Sequence, residues 1–302
     1  MTAVYYSLAC DAEGVRERQW ARGVRSLRWH NEEIDVVLCL YGGAGQETLE
    51  LARSARVHVE PMGEYPDAFG DVPAHWRAAL STYPPLHKLL SLRRIVSMRP
   101  DRVLYLDCDT YCFGDVAQLV DRHSGCEWYA REEPGSSRSH YGYDASYIDE
   151  LALGTIARSE GLVSIPPYNT GVFTLSGELA GTLAELRDDF VWYAWRLLLG
   201  ACLWRPELVA DPALVSFVRE RSGPAERRLA LPFPSRNGWI VEELATWLTL
   251  GRVPGMTHDV LRRCDVVQNG EYADSDEYLL AHYFTAGEAQ FFARLDATGE
   301  AP

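Results

Sequence analysis

The chain has 302 residues, of which 47% are hydrophobic and 24% are charged, proportions that are ordinary for a globular protein. Its 43 acidic residues outnumber the 29 Lys and Arg residues, which gives a formal net charge of -14. Because such a surface repels phosphate backbones and anionic lipids, nucleic acid and membrane surfaces are excluded as expected partners. The sequence also lacks a signal-peptide pattern and an uninterrupted apolar run of about 20 residues, so we expect no membrane insertion.

The cysteines are scattered along the chain and match neither a zinc ribbon nor a redox motif. They are Cys10, Cys39, Cys108, Cys112, Cys126, Cys202 and Cys264. An odd number without close pairing predicts free thiols in a reducing compartment, and we therefore expect a cytoplasmic location.

The first half of the chain alternates between apolar runs and segments of helical spacing. The pattern predicts strands at 3–8, 34–41, 56–60 and 103–106, and helices at 14–27, 47–54 and 85–98. Strands that alternate with helices indicate a mainly parallel sheet covered by helices on both faces. Strands buried in such a sheet read as continuous apolar runs, as 34–41 and 103–106 do.

The second half is less regular. Residues 132–143 have the composition of a loop, and 166–175 reads as a loop that runs into a strand. Helices are predicted at 144–159, 178–202, 212–221, 241–250 and 288–295, with an extended segment at 279–284. No repeat or long linker divides the chain, so we expect a single α/β domain over 1–302 with an irregular, helical C-terminal half.

Two carboxylates, Asp107 and Asp109, follow directly on the predicted strand 103–106. In an open α/β sheet, ligands bind outside the carboxyl ends of the strands. Two like charges are tolerated in such a place where a cation offsets them, and oxygen ligands suit Mg²⁺ or Mn²⁺ shared with substrate phosphates. The motif therefore predicts a divalent metal that joins the protein to a diphosphate. The alternative is that one carboxylate caps the next turn and the other is solvated.

Four segments together resemble the glycosyltransferases of the GT-A fold, particularly the glycogenin-like, family 8 type. They are YYSLACDAEGVRERQWARGVRSLRWHN at the start, His87-Lys88-Leu89, RPDRVLYLDCDTYCFGDVAQLV around the two carboxylates, and PYNTGVFTL. They occur in the family's order over about the first 175 residues. The resemblance implies a Rossmann-like GT-A domain, with a nucleotide-binding half at 1–125 and a sugar- and acceptor-binding half at 126–302.

The resemblance implies a role for each residue that matches a family motif. Asp107 and Asp109 would hold the metal, Asn169 and Gly171 would face the transferred sugar, Thr170 between them would be a donor-binding position, and Lys88 would lie near the ribose or phosphates. The remaining donor-binding positions would be Leu8, Ala9, Asp11, Leu106 and Cys108. Each has an ordinary structural alternative, such as an exposed helix charge for Lys88 or a turn for Asn169.

The family's C-terminal metal ligand corresponds to His282, and its glycine for the diphosphate corresponds to Gly287. Here Gly287 falls two residues later than the family spacing, and Glu288 follows without a Lys. That departure leaves open whether His282 is a ligand or a packed core histidine. The family's acidic residue has two candidates, Asp211 and Glu243, and each could instead be a carboxylate that stabilises a helix N-terminus.

The resulting hypothesis is a glycosyltransferase that uses Mn²⁺ or Mg²⁺ to move a sugar from a nucleoside-diphosphate sugar, with UDP favoured, to an unidentified acceptor hydroxyl. The family resemblance implies retention of the anomeric configuration. One alternative is a phosphatase similar to the haloacid-dehalogenase superfamily, with Asp107 as nucleophile, although Tyr111 stands where a Thr or Val is usual. Another is a degenerate relative that binds a sugar or nucleotide without turning it over.

Overall fold

The computed structural model describes residues 2–11, 13–132, 148–268, 278–283, 288–293 and 295. Its strands are β1 (Thr2–Ala9), β2 (Asp35–Tyr41), β3 (His58–Gly63), β4 (Arg102–Leu106), β5 (Thr110–Cys112), β6 (Trp128–Glu132), β7 (Tyr168–Ser176), β8 (His258–Val260), β9 (Val266–Gln268) and β10 (Leu280–His282). They form a seven-stranded main sheet, in the order β3-β2-β1-β4-β7-β6-β8, and a small sheet in the order β5-β10-β9.

The main sheet is largely parallel. Among its described strands, β7 runs antiparallel to both of its neighbours, β4 and β6, while the other pairs are parallel. Strand β4 is buried along its whole length, and β1 and β2 are buried apart from their first residues, which explains their continuous apolar sequences. The predicted α/β fold with a mixed, mainly parallel sheet is confirmed.

Helices cover both faces of the main sheet. They are α1 (Val15–His30), α2 (Gln46–Ser54), α3 (Ala74–Leu80), α4 (His87–Leu90), α5 (Leu92–Val96), α6 (Val116–Arg122), α7 (Glu150–Ser159), α8 (Gly177–Glu185), α9 (Arg187–Trp204), α10 (Pro212–Arg221), α11 (Pro224–Arg227) and α12 (Val241–Leu250). One hydrophobic cluster joins the sheet to α8, α9 and α12, and another joins it to α1, α2 and α6. Residues 288–293 are also helical. No described helix has both the length and the apolar composition that crossing a membrane requires.

The prediction of one helix over 85–98 is wrong. A 3-10 turn, Pro84–Leu86, is followed by α4 and α5, which are separated at Ser91. The Ser91 hydroxyl donates to the carbonyl of His87 (2.8 Å) and also lies 2.7 Å from the Ser7 hydroxyl. A serine that bonds to the preceding turn bends a helix, and here it ties the bend to β1.

The prediction of one long helix over 178–202 is also wrong, because α8 ends at Glu185 and α9 begins at Arg187, with Leu186 between them. Helix α8 packs against α5, whereas α9 packs against α12, so the chain changes direction to cover both neighbours. The predicted strand 56–60 is displaced to β3, since Arg56 adopts a left-handed conformation (φ 51°) just after α2.

Side-chain caps set where several helices begin. Asp115, Asp149 and Asp211 each accept a hydrogen bond from a backbone N–H in the first turn of α6, α7 and α10. The helix predicted from residue 144 therefore starts at Glu150. Residues 133–147, which include most of the predicted loop 132–143, lie outside the described residues.

Candidate metal and donor site

Three side chains meet at the carboxyl end of β4. The Nε2 atom of His282 lies 3.3 Å from Oδ1 of Asp109 and 3.6 Å from Oδ2 of Asp107. One ligand atom from each of the three lies within 4.8 Å of the other two. The structure thus brings together the three residues that the sequence analysis assigns to a metal.

Backbone contacts hold this cluster between the two sheets. The N–H of Asp107 donates to the carbonyl of Gly171 on β7 (2.8 Å), and the N–H of Tyr283 donates to the carbonyl of Asp109 (3.1 Å). In the small sheet His282 pairs with Thr110, the residue after Asp109. The two acidic residues therefore join β4 to β5, and His282 reaches them from the neighbouring strand β10.

Gly171 lies directly against the ring of His282. A Cβ atom at this position would lie 1.9 Å from Cε1 of the imidazole and 2.3 Å from its Nδ1. Because real Cβ atoms do not approach other atoms so closely, only glycine leaves room for the ring here. The glycine of the Asn169-Thr170-Gly171 segment is thus explained by the packing of His282, which the sequence analysis did not foresee.

The donor set fits a divalent metal ion. Carboxylate oxygens suit Mg²⁺ and Mn²⁺, and imidazole is accepted by Mn²⁺ among the transition metals. Octahedral ligands at about 2.1 Å from an ion lie about 3 Å apart when adjacent and about 4 Å apart when opposite. The His282–Asp109 and His282–Asp107 separations fall within that range, so Asp107, Asp109 and His282 could hold one ion together.

A buried lysine, Lys88, forms an ion pair with Asp107. The Nζ atom of Lys88 lies 2.9 Å from Oδ2 of Asp107 and 3.3 Å from Oε2 of Glu242 on α12. Lys88 is only 5% exposed. The hydroxyl of Tyr105 donates to Oδ1 of Asp107 (2.5 Å), and Thr170 donates to Oε2 of Glu242 (2.6 Å). Both oxygens of Asp107 therefore have partners in the protein.

The charges of this network shift the pKa values of its members. Burial alone would lower the pKa of Lys88, but the carboxylates of Asp107 and Glu242 raise it above its usual value. Burial raises the pKa of Glu242, against the effect of Lys88 and Thr170. Burial would also raise the pKa of Asp109, but the nearby His282 lowers it below its usual value. Lys88 is therefore charged, and it compensates the acidic groups around it.

The predicted sugar-facing segment joins the same network. The side-chain amide of Asn169 donates to Oε1 of Glu243 (3.2 Å), and its Oδ1 accepts from the N–H of Gly171 (3.0 Å). Glu243 is 9% exposed. Of the two acidic candidates on the C-terminal helices, Glu243 is thus next to Asn169, two residues from the contact with His282.

The other acidic candidate does not reach the cluster. Asp211 is exposed, and its carboxylate accepts from the N–H of Ala213 (2.8 Å), as an N-cap of α10. Neither a hydrogen bond nor an ion pair connects it with Asp107, Asp109 or the other described residues of the cluster. Asp211 therefore has the ordinary structural role that the sequence analysis gave as the alternative, which is to stabilise the start of a helix.

The remaining predicted donor residues lie at or near the ends of β1 and β4. Leu8 and Leu106 are buried in the core, and Ala9 ends β1. Cys108 donates from its Sγ to the carbonyl of Ser7 (3.7 Å). Gly287 lies outside the described residues. The predicted contacts of these residues with a donor stay predictions.

Asp11 has a clear structural role at the start of α1. Its carboxylate accepts from the backbone N–H groups of Glu13, Val15 and Arg16 at 3.0–3.1 Å. Burial would raise the pKa of Asp11, but these hydrogen bonds outweigh it and lower the pKa. The carboxylate is therefore ionised and fixes the turn that follows β1.

Two members of the site were missed by sequence reasoning. Glu242 lies in the largely apolar and fully buried helix Val241–Leu250, where a carboxylate indicates a buried partner. Tyr105 lies on β4, two residues before Asp107, which directly follows the strand. Residues two positions apart along an extended chain point to the same face of a sheet. Both signals were present in the sequence, but the identity of the partners depends on tertiary contacts.

Solved structures show the same fold, although neither a family model nor a curated protein matches the sequence. The galactosyltransferase LgtC in complex with donor and acceptor sugar analogues is 14% identical, with a TM-score of 0.51, and the match covers 99% of this chain and 96% of LgtC. An active-site mutant of LgtC gives 15% identity, a TM-score of 0.53 and the same coverage. Mouse xyloside xylosyltransferase 1 is 10% identical with a TM-score of 0.48, over 95% of this chain and 98% of that one. The two LgtC structures establish that this chain has the GT-A fold, as the sequence resemblance predicted.

Proposed function

We propose that the chain is a metal-dependent glycosyltransferase that moves a sugar from a nucleoside-diphosphate sugar to an acceptor hydroxyl. The observation that carries the proposal is the meeting of Asp107, Asp109 and His282 at the carboxyl end of β4 in a GT-A fold. UDP is the first candidate for the nucleotide, and retention the expected stereochemical outcome, because the family that the sequence resembles has both. LgtC in complex with donor and acceptor sugar analogues supports the same classes of ligand.

The protein's contribution to the donor site is to hold and orient charges. Asp107, Asp109 and His282 would hold Mn²⁺ or Mg²⁺, and Lys88 with Tyr105 fixes the orientation of Asp107. A divalent ion bound there would act as a Lewis acid toward the leaving diphosphate. The pre-set geometry matters because the carboxylates need no rearrangement when the donor binds.

The transferred sugar would lie against Asn169 and Glu243. Both side chains are buried and hydrogen-bonded to each other, so neither requires solvent to hold its position. A carboxylate fixed in this way can orient a sugar hydroxyl, and positioning the donor against the acceptor hydroxyl accounts for much of a transfer rate. Among the acidic candidates we therefore assign this role to Glu243 and not to Asp211.

The assignment divides the chain into a nucleotide-binding half at 1–125 and a sugar- and acceptor-binding half at 126–302. The GT-A fold favours this function over a phosphatase with Asp107 as nucleophile. The contacts of Asp107 point the same way, because Lys88 and Tyr105 engage both of its carboxylate oxygens. A degenerate relative that binds without transfer is the second candidate, favoured by the absence of a Lys after Gly287. The cytoplasmic location expected from the free cysteines stays a prediction.

Calorimetric titration of UDP tests the proposal directly. We expect binding with Mn²⁺ and little binding with EDTA, and a loss of at least about tenfold in affinity in Asp109→Ala, since the ion then lacks one charged ligand. Asp211→Ala is the matched control, because it removes a carboxylate that caps a helix outside the cluster. Its UDP affinity should equal that of the wild type.

Hydrolysis of UDP-sugars then separates an enzyme from a degenerate binder. Slow release of UDP with Mn²⁺, reduced in Glu243→Gln but not in Asp211→Ala, would support transfer chemistry. If the wild type binds neither UDP nor GDP nor dTDP with Mn²⁺, the donor site is wrongly assigned. If it binds UDP but releases none from any UDP-sugar, the degenerate alternative is favoured.

A further inference from the structure

The charges of the candidate site do not balance once a diphosphate is bound. A divalent ion and Lys88 carry three positive charges, which the carboxylates of Asp107, Asp109 and Glu242 cancel. The diphosphate of the donor that we propose brings further negative charge into a chain that is already at -14. Lys88 cannot supply the balance, because it is already paired with Asp107 and Glu242. A further cation at this edge of the sheet would offset the charge of the diphosphate.

Arg16 makes no ion pair within the part of the chain that the structure describes. It lies in the first turn of α1, which follows β1, and its side chain is partly buried. Its Nη1 atom lies 3.5 Å from the carbonyl of Ala9, the last residue of β1, and its guanidinium makes no ion pair with any carboxylate of the described residues. A partly buried guanidinium with no carboxylate in contact leaves N–H groups with which an anionic ligand can bond.

The backbone shows which way Arg16 is directed. Carbonyl groups two residues apart on an extended strand point to the same side of the strand. The carbonyl of Ser7 accepts from Cys108, which stands between Asp107 and Asp109 after the neighbouring strand β4. The carbonyl of Ala9, which Arg16 contacts, therefore also faces the β4 side. Arg16 is thus bound to the side of β1 that faces the two metal-binding carboxylates.

The acidic residues near Arg16 are engaged elsewhere. The oxygens of Asp11 accept three backbone N–H groups, although its charge lies close enough for Arg16 to contribute to its lowered pKa. Glu17 accepts from the N–H of Gly45 and the hydroxyl of Thr48. Glu288 accepts from Gln19 and Arg22, three and six residues after Arg16 on α1. None of them pairs with the guanidinium of Arg16.

The electrostatic influence of Arg16 reaches the candidate donor site. Burial lowers the pKa of His87, and Arg16 and Lys88 lower it further. The positive charge of Arg16 therefore acts from the end of β1 on the start of α4, which carries Lys88.

We propose that Arg16 binds the diphosphate of the nucleotide donor, on the β1 side of the metal ion. The inference rests on the proposed function, since it deepens the description of the same donor site. A guanidinium suits this task because its planar N–H groups match phosphate oxygens two at a time and it remains charged at any physiological pH. The anion required is a phosphate group of a nucleoside diphosphate and not the nucleobase.

Paired titrations with UDP and uridine test this assignment. With Mn²⁺ present, Arg16→Ala should weaken UDP binding by about 10- to 100-fold in calorimetry, and Arg16→Lys should restore part of it. Uridine binding, followed by ligand-observed NMR, should be the same in Arg16→Ala as in the wild type. Arg25→Ala is the matched control, since Arg25 is an exposed arginine on the same helix, and its UDP affinity should not change.

The outcomes separate this inference from the proposed function. Wild-type affinity for UDP in Arg16→Ala would overturn the inference while leaving the metal-dependent donor site intact. Equal losses for UDP and uridine would also overturn it, because Arg16 would then support the nucleoside or the local fold. If the wild type itself fails to bind UDP and the other nucleoside diphosphates, the proposed function fails first.

Discussion

The main sheet and the small sheet place their site residues by different means. Strand β4 pairs with β1 and β7 along nearly its whole length, so Asp107 follows a strand that is fixed on both sides. Strand β10, which carries His282, has three residues and pairs with two other strands of three residues. Asp107 is therefore held by a long run of neighbouring pairs, whereas His282 depends on a few contacts made far along the sequence.

Contacts outside the small sheet make up for its size. Asp265, just before β9, is 1% exposed and is bound by His123 at the end of α6, with Nε2 2.8 Å from its Oδ2. Arg122 lies 3.1 Å from its other oxygen, and the carbonyl of Asp265 accepts from Leu280 at the start of β10. The small sheet is thus fastened to α6 by charged contacts in addition to the packing of its apolar residues. We expect these two modes of support to respond differently to substitution.

The largest expected effect comes from Lys88→Met, at the buried centre of the main-sheet region. Methionine has a similar length but leaves the buried Glu242 and the partly buried Asp107 without a cation between them. Removing one partner of a buried ion pair costs about 3–5 kcal/mol in the free energy of unfolding. Urea unfolding at pH 7, monitored by circular dichroism, measures the loss.

A second variant shows whether unpaired charge is the cause. Glu242→Gln on the Lys88→Met background removes one of the two carboxylates and should regain part of the lost stability. Arg25→Ala, on exposed surface, should change stability by less than about 0.5 kcal/mol. A loss of under about 1 kcal/mol for Lys88→Met would mean that the network is solvated and that the main-sheet region does not depend on it.

The main-sheet region was largely predictable from sequence because its information is local. The apolar runs that became β1, β2 and β4 are buried strands in sequence order, and two carboxylates after β4 indicate a ligand site wherever the sheet is parallel. The Asp109–His282 contact could not be derived in that way. The two residues are 173 positions apart (282 minus 109), and only the family resemblance suggested that they meet.

Other features depend on tertiary contacts that periodicity does not contain. The pattern over 85–98 is amphipathic, but Ser91 bonds to Ser7 on β1 and interrupts the helix. Glu242 and Glu243 are adjacent, yet Glu242 meets Lys88 and Glu243 meets Asn169. The choice of Glu243 over Asp211 likewise required the structure, since both stand near a helix N-terminus.

Gly171→Ala tests the contact between the two regions. Its methyl group would overlap the ring of His282, so that β7 and β10 must separate at the cluster. Overpacking of this kind costs about 1–3 kcal/mol, and displacement of His282 should weaken Mn²⁺-dependent UDP binding by at least about tenfold. Calorimetry and urea unfolding together measure both effects.

Gly181→Ala is the matched control for that variant. A Cβ atom there meets no other atom within 4 Å, and the residue lies inside α8, where alanine is favoured over glycine. The control should be as stable as the wild type or more so, by up to about 1 kcal/mol. Unchanged UDP binding in Gly171→Ala would show that His282 can move without loss, and would remove it from the metal site.

Asp265→Asn tests the charged fastening of the small sheet, with a smaller expected effect. Burial would raise the pKa of Asp265, but the hydrogen bonds from His123 and from the N–H of Arg262, with the charge of Arg122, lower it below its usual value of 3.8. A carboxyl whose pKa is lower in the folded state stabilises the fold above its unfolded pKa, and that contribution is lost as the pH falls through the folded pKa. The amide cannot be ionised, so the variant should lose about 2 kcal/mol at pH 7 and lose less relative to the wild type near pH 3.

The pH dependence is what distinguishes this fastening from simple packing. Urea unfolding of both proteins at pH 7 and pH 3 gives the difference directly, and Asp121→Asn, an exposed carboxylate on α6, should differ from the wild type by less than about 0.5 kcal/mol at either pH. A difference of equal size at both pH values would mean that Asp265 acts by shape and not by charge. Because β9 pairs with β10, the charge-dependent result should be accompanied by weaker Mn²⁺-dependent UDP binding in Asp265→Asn, whereas the Asp107 side of the cluster, held by β1 and β7, should keep its structure.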